Sequence, residues 1–286
     1  RDLMGRIASS RAMCALIKNQ TETVITQSLR ALEYLSEDNI PYRTATTCKL
    51  GIAYLTQGNR IEAKRLLTEA RLISSTSGDT TTNITASLGL GILQEQENQL
   101  YQAAQTLQNA VRLATGIPFP GIVVAYAGLA RIHYQWNDLD TSQRYCQQGI
   151  QMAQQIENTE WFVLCQVIHA RLKLAQKDTG GASEIIAQTK RSMFHHGFAF
   201  RVAEVAAEEV LILLRQGNLP AAALLVQTHP LPLSQARVYL AQGDASAALA
   251  LLEPSRLQAE ANHWTDEQLR IMIIQAVALN AHGEMD

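Results

Sequence analysis

The chain has 286 residues, 47% hydrophobic, 17% charged and 6% aromatic, which is enough apolar mass for a large folded body and excludes a disordered chain. Its 24 basic and 26 acidic residues give a net charge of −2, which argues against a surface that holds nucleic acid directly by neutralising phosphates. Mean hydropathy is −0.06, no apolar run approaches the roughly 20 residues of a membrane span, and RDLMGRIASSR at the N-terminus lacks an apolar signal core, so a cytoplasmic, non-membrane protein is expected. Cys14, Cys48, Cys146 and Cys165 form no Cys-x-x-Cys pair and sit in apolar, helix-like surroundings, where cysteine acts as a small hydrophobe. Neither a disulfide framework nor a zinc site follows.

Only 7 prolines occur, and apolar residues recur at three and four, as at Ile61, Leu66, Leu67, Ala70 and Ile73. The pattern predicts helix nearly throughout and no strand. Small or apolar residues also repeat at offsets of 3, 7, 12 and 19, the spacing two antiparallel helices need at their crossings with a tight turn at the middle residue. In chain order the copies are Ala12, Ala15, Asn19, Val24, Ala31; Gly51, Tyr54, Gly58, Ala63, Ala70; Gly91, Gln94, Asn98, Ala103, Ala110; and Ala130, His133, Asn137, Ser142, Gly149. Weaker copies follow at Ala170, Lys173, Lys177, Ala182, Thr189 and at Val210, Leu213, Gly217, Ala222, His229. The pattern returns at Ala236, Tyr239, Gly243, Ala248, Ser255, and a last copy opens at Ala276 and Leu279 with Gly283 at its turn. Predicted turns therefore fall at 19, 58, 98, 137, 177, 217, 243 and 283, at intervals of 39 or 40 except for one of 26. Between Gly217 and Gly243 there is room only for two short helices around His229-Pro230-Leu231-Pro232. Gln57-Gly58-Asn59, Gln216-Gly217-Asn218 and Gln242-Gly243-Asp244 supply Gly after one helix and Asn or Asp before the next, and Asn137-Asp138 does so without glycine.

The offsets resemble those of the tetratricopeptide repeat, and LGIAYLTQGNRIEAKRLLTEA at 50–70 is similar to a single copy. Units of about 40 residues, with GLARIHYQWNDLDTSQRYCQQGIQMA at 128–153 and HARLKLAQKD at 169–178, resemble the helical sensor domain of MalT-like regulators, the large ATP-dependent members of the LuxR family. The most specific piece is Gly128 to Ile150, above all Tyr134 to Leu139. The resemblance implies an all-α right-handed superhelix (α-solenoid) of TPR-like hairpins, filling 1–286 as a single repeat domain with an irregular short repeat at 217–243. It further implies a STAND-type ATPase before this domain and a helix-turn-helix after it. Neither lies in this sequence, which reads as a piece of a larger regulator; no cofactor is expected in this chain.

In such a stack the first helix of each unit lines a concave groove, the default binding surface. The residue after the first crossing position points toward it: Ile52, Ile92, Arg131, Arg171, Leu211 and Arg237. The three arginines, with Tyr134 one turn beyond Arg131 and Trp136 near the same helix end, offer charge and stacking to an acidic or sugar-like effector or to a partner peptide. The alternative is that the arginines pair with carboxylates on adjacent helices and Trp136 fills a gap between helices. His133 and His169 read as packing residues, and His195-His196 as a solvated helix end without ligand spacing. His263-Trp264 marks a helix junction with Thr265 as N-cap. Ser74 to Thr82 ends one helix and caps the next, and Gly116 to Gly121 lacks the Lys and Ser or Thr of a phosphate loop. No nucleophile elbow, His-Glu-x-x-His or paired-carboxylate signal is present, so an enzyme is not expected. An apolar surface around Ile273, Ile274 and Val277 leaves room for homo-oligomer formation.

Overall fold

The computed structural model describes residues 1–156, 159–196 and 201–283. The side chains of His195 and His196 lie outside the described residues. Among the described residues fifteen helices follow one another: α1 (Asp2–Ile17), α2 (Thr21–Tyr34), α3 (Ile40–Gln57), α4 (Arg60–Ser77), α5 (Thr80–Gln96), α6 (Leu100–Leu113), α7 (Ile122–Gln135), α8 (Leu139–Gln155), α9 (Thr159–Ala175), α10 (Thr179–His196), α11 (Val202–Arg215), α12 (Leu219–Thr228), α13 (Pro232–Ala241), α14 (Ala245–Ala261) and α15 (Thr265–His282). No strand occurs among the described residues. Two compact units are formed, one from Arg1–Glu95 with Gln99–Gly128, the other from Gln96–Asn98 with Leu129–Asp286.

All eight predicted turn positions adopt the left-handed backbone: Asn19, Asn98, Asn137 and Lys177 with φ of 53, 57, 59 and 65°, and Gly58, Gly217, Gly243 and Gly283 with φ of 86, 73, 82 and 80°. At seven of them the next residue donates its backbone N–H to a carbonyl five residues earlier, from Gln20 to Ala15 (2.9 Å), Asn59 to Tyr54 (2.9 Å), Gln99 to Gln94 (2.8 Å), Asp138 to His133 (2.9 Å), Asp178 to Lys173 (2.9 Å), Asn218 to Leu213 (2.9 Å) and Asp244 to Tyr239 (2.9 Å). This is the Schellman closure, which satisfies helix-end carbonyls that would otherwise lack a partner. The same residue then starts the second helix. Asn59, Asp138, Asp178, Asn218 and Asp244 each accept, on a side-chain oxygen, the N–H three residues on, at 3.3, 3.2, 2.8, 3.3 and 2.9 Å.

Small residues at the crossings bring the paired helices together. Ala63, Ala70, Ala103, Ala110, Ala130, Ala170, Ala182, Ala222, Ala236 and Ala248 are all fully buried. A Cβ added at Gly91 would lie 2.5 Å from Leu107 Cδ2, so the glycine is the seat for that leucine. Two buried hydroxyls at crossing positions are satisfied: Ser142 donates to the Ala130 carbonyl at 2.7 Å and Thr189 to that of Ile185 at 2.8 Å. Between Gly217 and Gly243 stand α12 and α13, of 10 residues each, with Pro232 at the start of α13, where its missing N–H costs no helical bond.

Two local expectations need correction. Trp264, and not Thr265, is the N-cap of α15, because His263 takes the left-handed turn (φ 54°) and Trp264 closes it on the Ala259 carbonyl at 2.9 Å. Ile274 is buried with Ile271 and Ala278 against α13 and α14, so the exposed apolar face of α15 consists of Leu269, Met272, Ile273 and Val277. The thiols of Cys48, Cys146 and Cys165 are buried, and burial pushes those of Cys48 and Cys165 up to about 12. They are packing groups.

In the first unit Lys49 on α3 reaches α1, donating to the Ser9 carbonyl at 3.2 Å and to Ser9 Oγ at 2.8 Å, while Ser9 Oγ lies 2.7 Å from Thr46 Oγ1. Only 9% of Lys49 is exposed, and among the described residues no carboxylate pairs with it. Burial therefore holds its ammonium below the usual lysine range.

Two predictions follow from these features. Lys177 bears a side chain in a conformation that costs L-residues roughly 1 kcal/mol, so Lys177→Gly raises stability by up to about 1 kcal/mol in urea denaturation. For Lys49 the folded pKa is depressed, so the unfolded chain binds the extra proton over the interval just below the ordinary value of 10.5, and stability rises with pH there. Lys49→Met removes that rise and increases stability at pH 7; an unchanged difference between denaturation at pH 7 and pH 9.5 would contradict the assignment.

Candidate functional site

The residues that follow the crossing position, Ile52, Ile92, Arg131, Arg171, Leu211 and Arg237, are all half-buried, as residues on a shared helix face are. In the second unit consecutive first helices touch directly, α9 against α11, α11 against α13 and α13 against α15, so side chains on this face meet across hairpins. Arg171 on α9 reaches Glu208 on α11: Nε donates to Oε2 at 2.9 Å and a terminal guanidinium nitrogen lies 2.7 Å from the same oxygen. The Glu208 side chain is 0% exposed and that of Arg171 38%. Burial works against the Arg171 charge, but the attraction and hydrogen bond of Glu208 outweigh it and hold its pKa above the usual value. Both donors converge on Oε2. Oε1 is buried without a hydrogen-bond partner.

Arg237 on α13 lies half-buried beside this pair. Burial first, and then the like charge of Arg171, pull its pKa down; Glu208 opposes the shift and Arg270 adds to it. No hydrogen bond or ion pair holds the Arg237 guanidinium among the described residues. Arg270 belongs to its own exposed pair with Glu267 at 3.2 Å, and Arg201 is held by Glu204 at 2.8 Å and Glu160 at 3.4 Å. Tyr134 is an electrostatic neighbour of Arg171, and Arg131 one of Cys165 on α9. Of the five residues singled out from the sequence, Arg171 on α9 and Arg237 on α13 therefore both face the charge of Glu208 on α11, while Arg131 and Tyr134 share α7.

Trp136 stands in a different cluster. Its ring meets His133 edge-on with centroids 5.1 Å apart, and His133 leans over Tyr145 at 5.5 Å. His133 Nδ1 lies 3.0 Å from Asp138 Oδ2, the carboxylate that also caps α8, which makes this histidine part of the turn. His169 sits 3.4 Å from Gln166 Oε1, and burial lowers its pKa. Among the described residues no group of three or more His, Cys, Asp or Glu side chains could hold a metal ion, and no helix is long and apolar enough to cross a membrane.

Glu208 is the residue that the crossing pattern does not single out. It lies two positions before Val210, a register site filled elsewhere by Gly89, Gly128, Ile168 and Ser234, all buried, and by Lys49. The signal was present in the repeats: a charge stands where neighbouring copies carry a small or apolar residue.

The model of one protein family, the MalT-like TPR region, matches residues 5–286. The chain belongs to this family. No curated protein sequence matches it. Among solved structures, a Rap protein complexed with competence and sporulation factor is 12% identical with a TM-score of 0.68, over 100% of this chain and 78% of that one. The Rap conjugation gene regulator of plasmid pLS20, in complex with the Phr* peptide, is 14% identical with a TM-score of 0.63, over 96% and 74%. A signal transduction ATPase with numerous domains and a tetratricopeptide repeat sensor, from Pyrococcus horikoshii, is 15% identical with a TM-score of 0.59; the match covers 95% of this chain and 44% of that one. At these identities the likeness is one of fold, an all-α TPR-like solenoid. A MalT-like TPR region is a non-catalytic repeat scaffold that serves interaction.

The Arg171–Glu208 geometry predicts an asymmetric pair of substitutions. Arg171→Met strands a fully buried carboxylate and costs about 2–4 kcal/mol, whereas Glu208→Leu leaves an arginine that is part solvated and costs about 1 kcal/mol or less. Urea denaturation of the two variants decides this, and equal losses would refute it.

Proposed function

We propose that this chain is the sensing and interaction domain of a LuxR-family, MalT-like transcriptional regulator, and that an effector or regulatory protein engages the inner row of first helices in the second unit. The observation that carries this reading is Arg237, a half-buried guanidinium held by no hydrogen bond among the described residues and set beside a second arginine. A purely structural surface gains nothing from such an arrangement; a binding surface that needs positive charge does. Arg131 and Tyr134 extend the row, and Trp136 adds an aromatic surface at the end of α7. Occupancy of the row would shift the larger regulator between resting and active states, because bound groups that bridge α9, α11 and α13 favour one spacing of the stacked hairpins. Nucleotide would be handled outside this chain, which takes no cofactor of its own, acts in the cytoplasm and does not contact DNA.

A second reading, a scaffold for protein or peptide partners only, is favoured by the two Rap structures, complexed with competence and sporulation factor and with the Phr* peptide. A thermal-shift screen against sugars, nucleotides, phosphorylated metabolites and amino acids separates the two. An effector raises the melting temperature of the parent chain, and its effect falls at least about tenfold in apparent affinity in Arg237→Ala and Arg131→Ala while both variants remain folded. A full set of compounds without effect, alongside a peptide that binds in an Arg237-dependent way, would replace the effector reading with the scaffold one.

A further inference from the structure

The Arg171–Glu208–Arg237 row has two unmet needs. Arg237 lacks an acceptor: its charged neighbours are Arg171 and Arg270, which repel it, and Glu208, whose Oε2 already accepts from Arg171. Glu208 lacks a donor, since Oε1 is buried with no hydrogen-bond partner although the residue is fully enclosed. A guanidinium normally meets a carboxylate fork to fork, one nitrogen to each oxygen. Here both Arg171 nitrogens serve one oxygen, and the other is left over.

A single chemical group meets both needs if it carries an anionic acceptor and a cationic donor on adjacent atoms. A bare carboxylate or phosphate would satisfy Arg237 but bring negative oxygens beside Glu208 and leave Oε1 without a donor. An isolated amine would satisfy Oε1 but add positive charge beside two arginines. Resting on the reading that the inner row is the ligand surface, we propose that this row is a subsite for the head group of a free α-amino acid, its carboxylate on Arg237 and Arg171 and its ammonium on Glu208 Oε1. Glu208 is fully enclosed, so entry to Oε1 requires a neighbouring side chain to move. Leu211, on the helix between the two arginines and at the same register position, is the residue of this face that would meet the amino acid's side chain.

Unpaired and beside like charge, Arg237 lowers stability in the absence of ligand, so the same residue should matter in opposite directions for folding and for binding. The test is calorimetric titration and thermal shift of the 286-residue chain with each of the twenty amino acids. The same measurements are made with the methyl ester and the α-hydroxy analogue of any that binds, and with a tripeptide ending in that residue. At least one amino acid is expected to bind, with the ester and the hydroxy analogue each at least about tenfold weaker and the tripeptide weaker than the free acid. Arg237→Met is expected to raise the melting temperature of the unliganded chain and to weaken binding at least about tenfold. A lower melting temperature for Arg237→Met, an ester that binds as well as the acid, or no binding by any amino acid would each overturn the proposal. If a peptide or phosphorylated metabolite binds instead and is lost in Arg237→Met, the amino-acid assignment fails while the inner row stands as the ligand surface. If nothing binds in an Arg237-dependent way, both fail.

Discussion

The left-handed residue at the end of each first helix is the constraint on which the rest of the structure depends. An α-helix that simply stops leaves carbonyls without partners and no fixed direction for the next segment. One residue at φ near 50–90°, followed by an N–H that returns to a carbonyl five residues back, closes the helix end and reverses the chain within two residues. The residue that makes the returning bond is in five hairpins also the side-chain cap of the following helix. Helix pairing is thus set locally, before any long-range packing, and the alanines and glycines at the crossings only have to be small enough for the pair to close. The single departure, the pair α12 and α13, keeps this turn at both Gly217 and Gly243 and shortens the helices instead.

This also explains which parts of the fold were legible in the sequence. Turn positions were readable because a positive φ leaves few residue types at low cost, and Gly or Asn stands at seven of the eight sites. Lys177 was readable only through its register. The junction at His263-Trp264 was misplaced by one residue because histidine is an unusual occupant of the left-handed position, so the cap was assigned to the threonine that ordinarily takes it. Ile274 is buried for a reason the sequence does not carry: periodicity gives a helix an apolar stripe but not the orientation of that stripe, which α13 and α14 fix by packing on Ile271, Ile274 and Ala278. Arg131, Arg171 and Arg237 of the candidate site stand out in the sequence only as a repeated position. Glu208 was not, since a buried charge is defined by its partner on another helix, and pairing between hairpins has no fixed spacing along the chain.

Lys49 and Glu208 occupy the same register position in different repeats, and the contrast between them separates a structural tie from a candidate site. Lys49 meets only neutral oxygens, from Ser9, and its surroundings close around it at low exposure. Its ammonium ties α1 to α3 through two hydrogen bonds to Ser9, at a net burial cost that neutral oxygens only partly offset. Glu208 meets a full charge, which suffices to hold one oxygen, and a second guanidinium beyond it that is left without a hydrogen bond. The first arrangement is complete, while the second is stoichiometrically uneven, with two guanidinium groups for one carboxylate.

Uneven charge in a half-buried row is a destabilising arrangement, and a repeat scaffold can hold one because its stability is a sum over many nearest-neighbour interfaces. The loss at α9, α11 and α13 is local, and the turns that define those hairpins do not depend on it. The same locality gives a bound group leverage. A group that bridged Arg171, Glu208 and Arg237 would act on three successive first helices at once, so its binding free energy would bear on the spacing between hairpins whose own turns are closed locally. A site placed within one hairpin would have to work against the Schellman closure and its cap; a site placed across hairpins works against packing alone. The charged row lies on side chains from different hairpins and never from the two helices of one, so a ligand bound there, as proposed, would act on packing between hairpins and not on the turns within them.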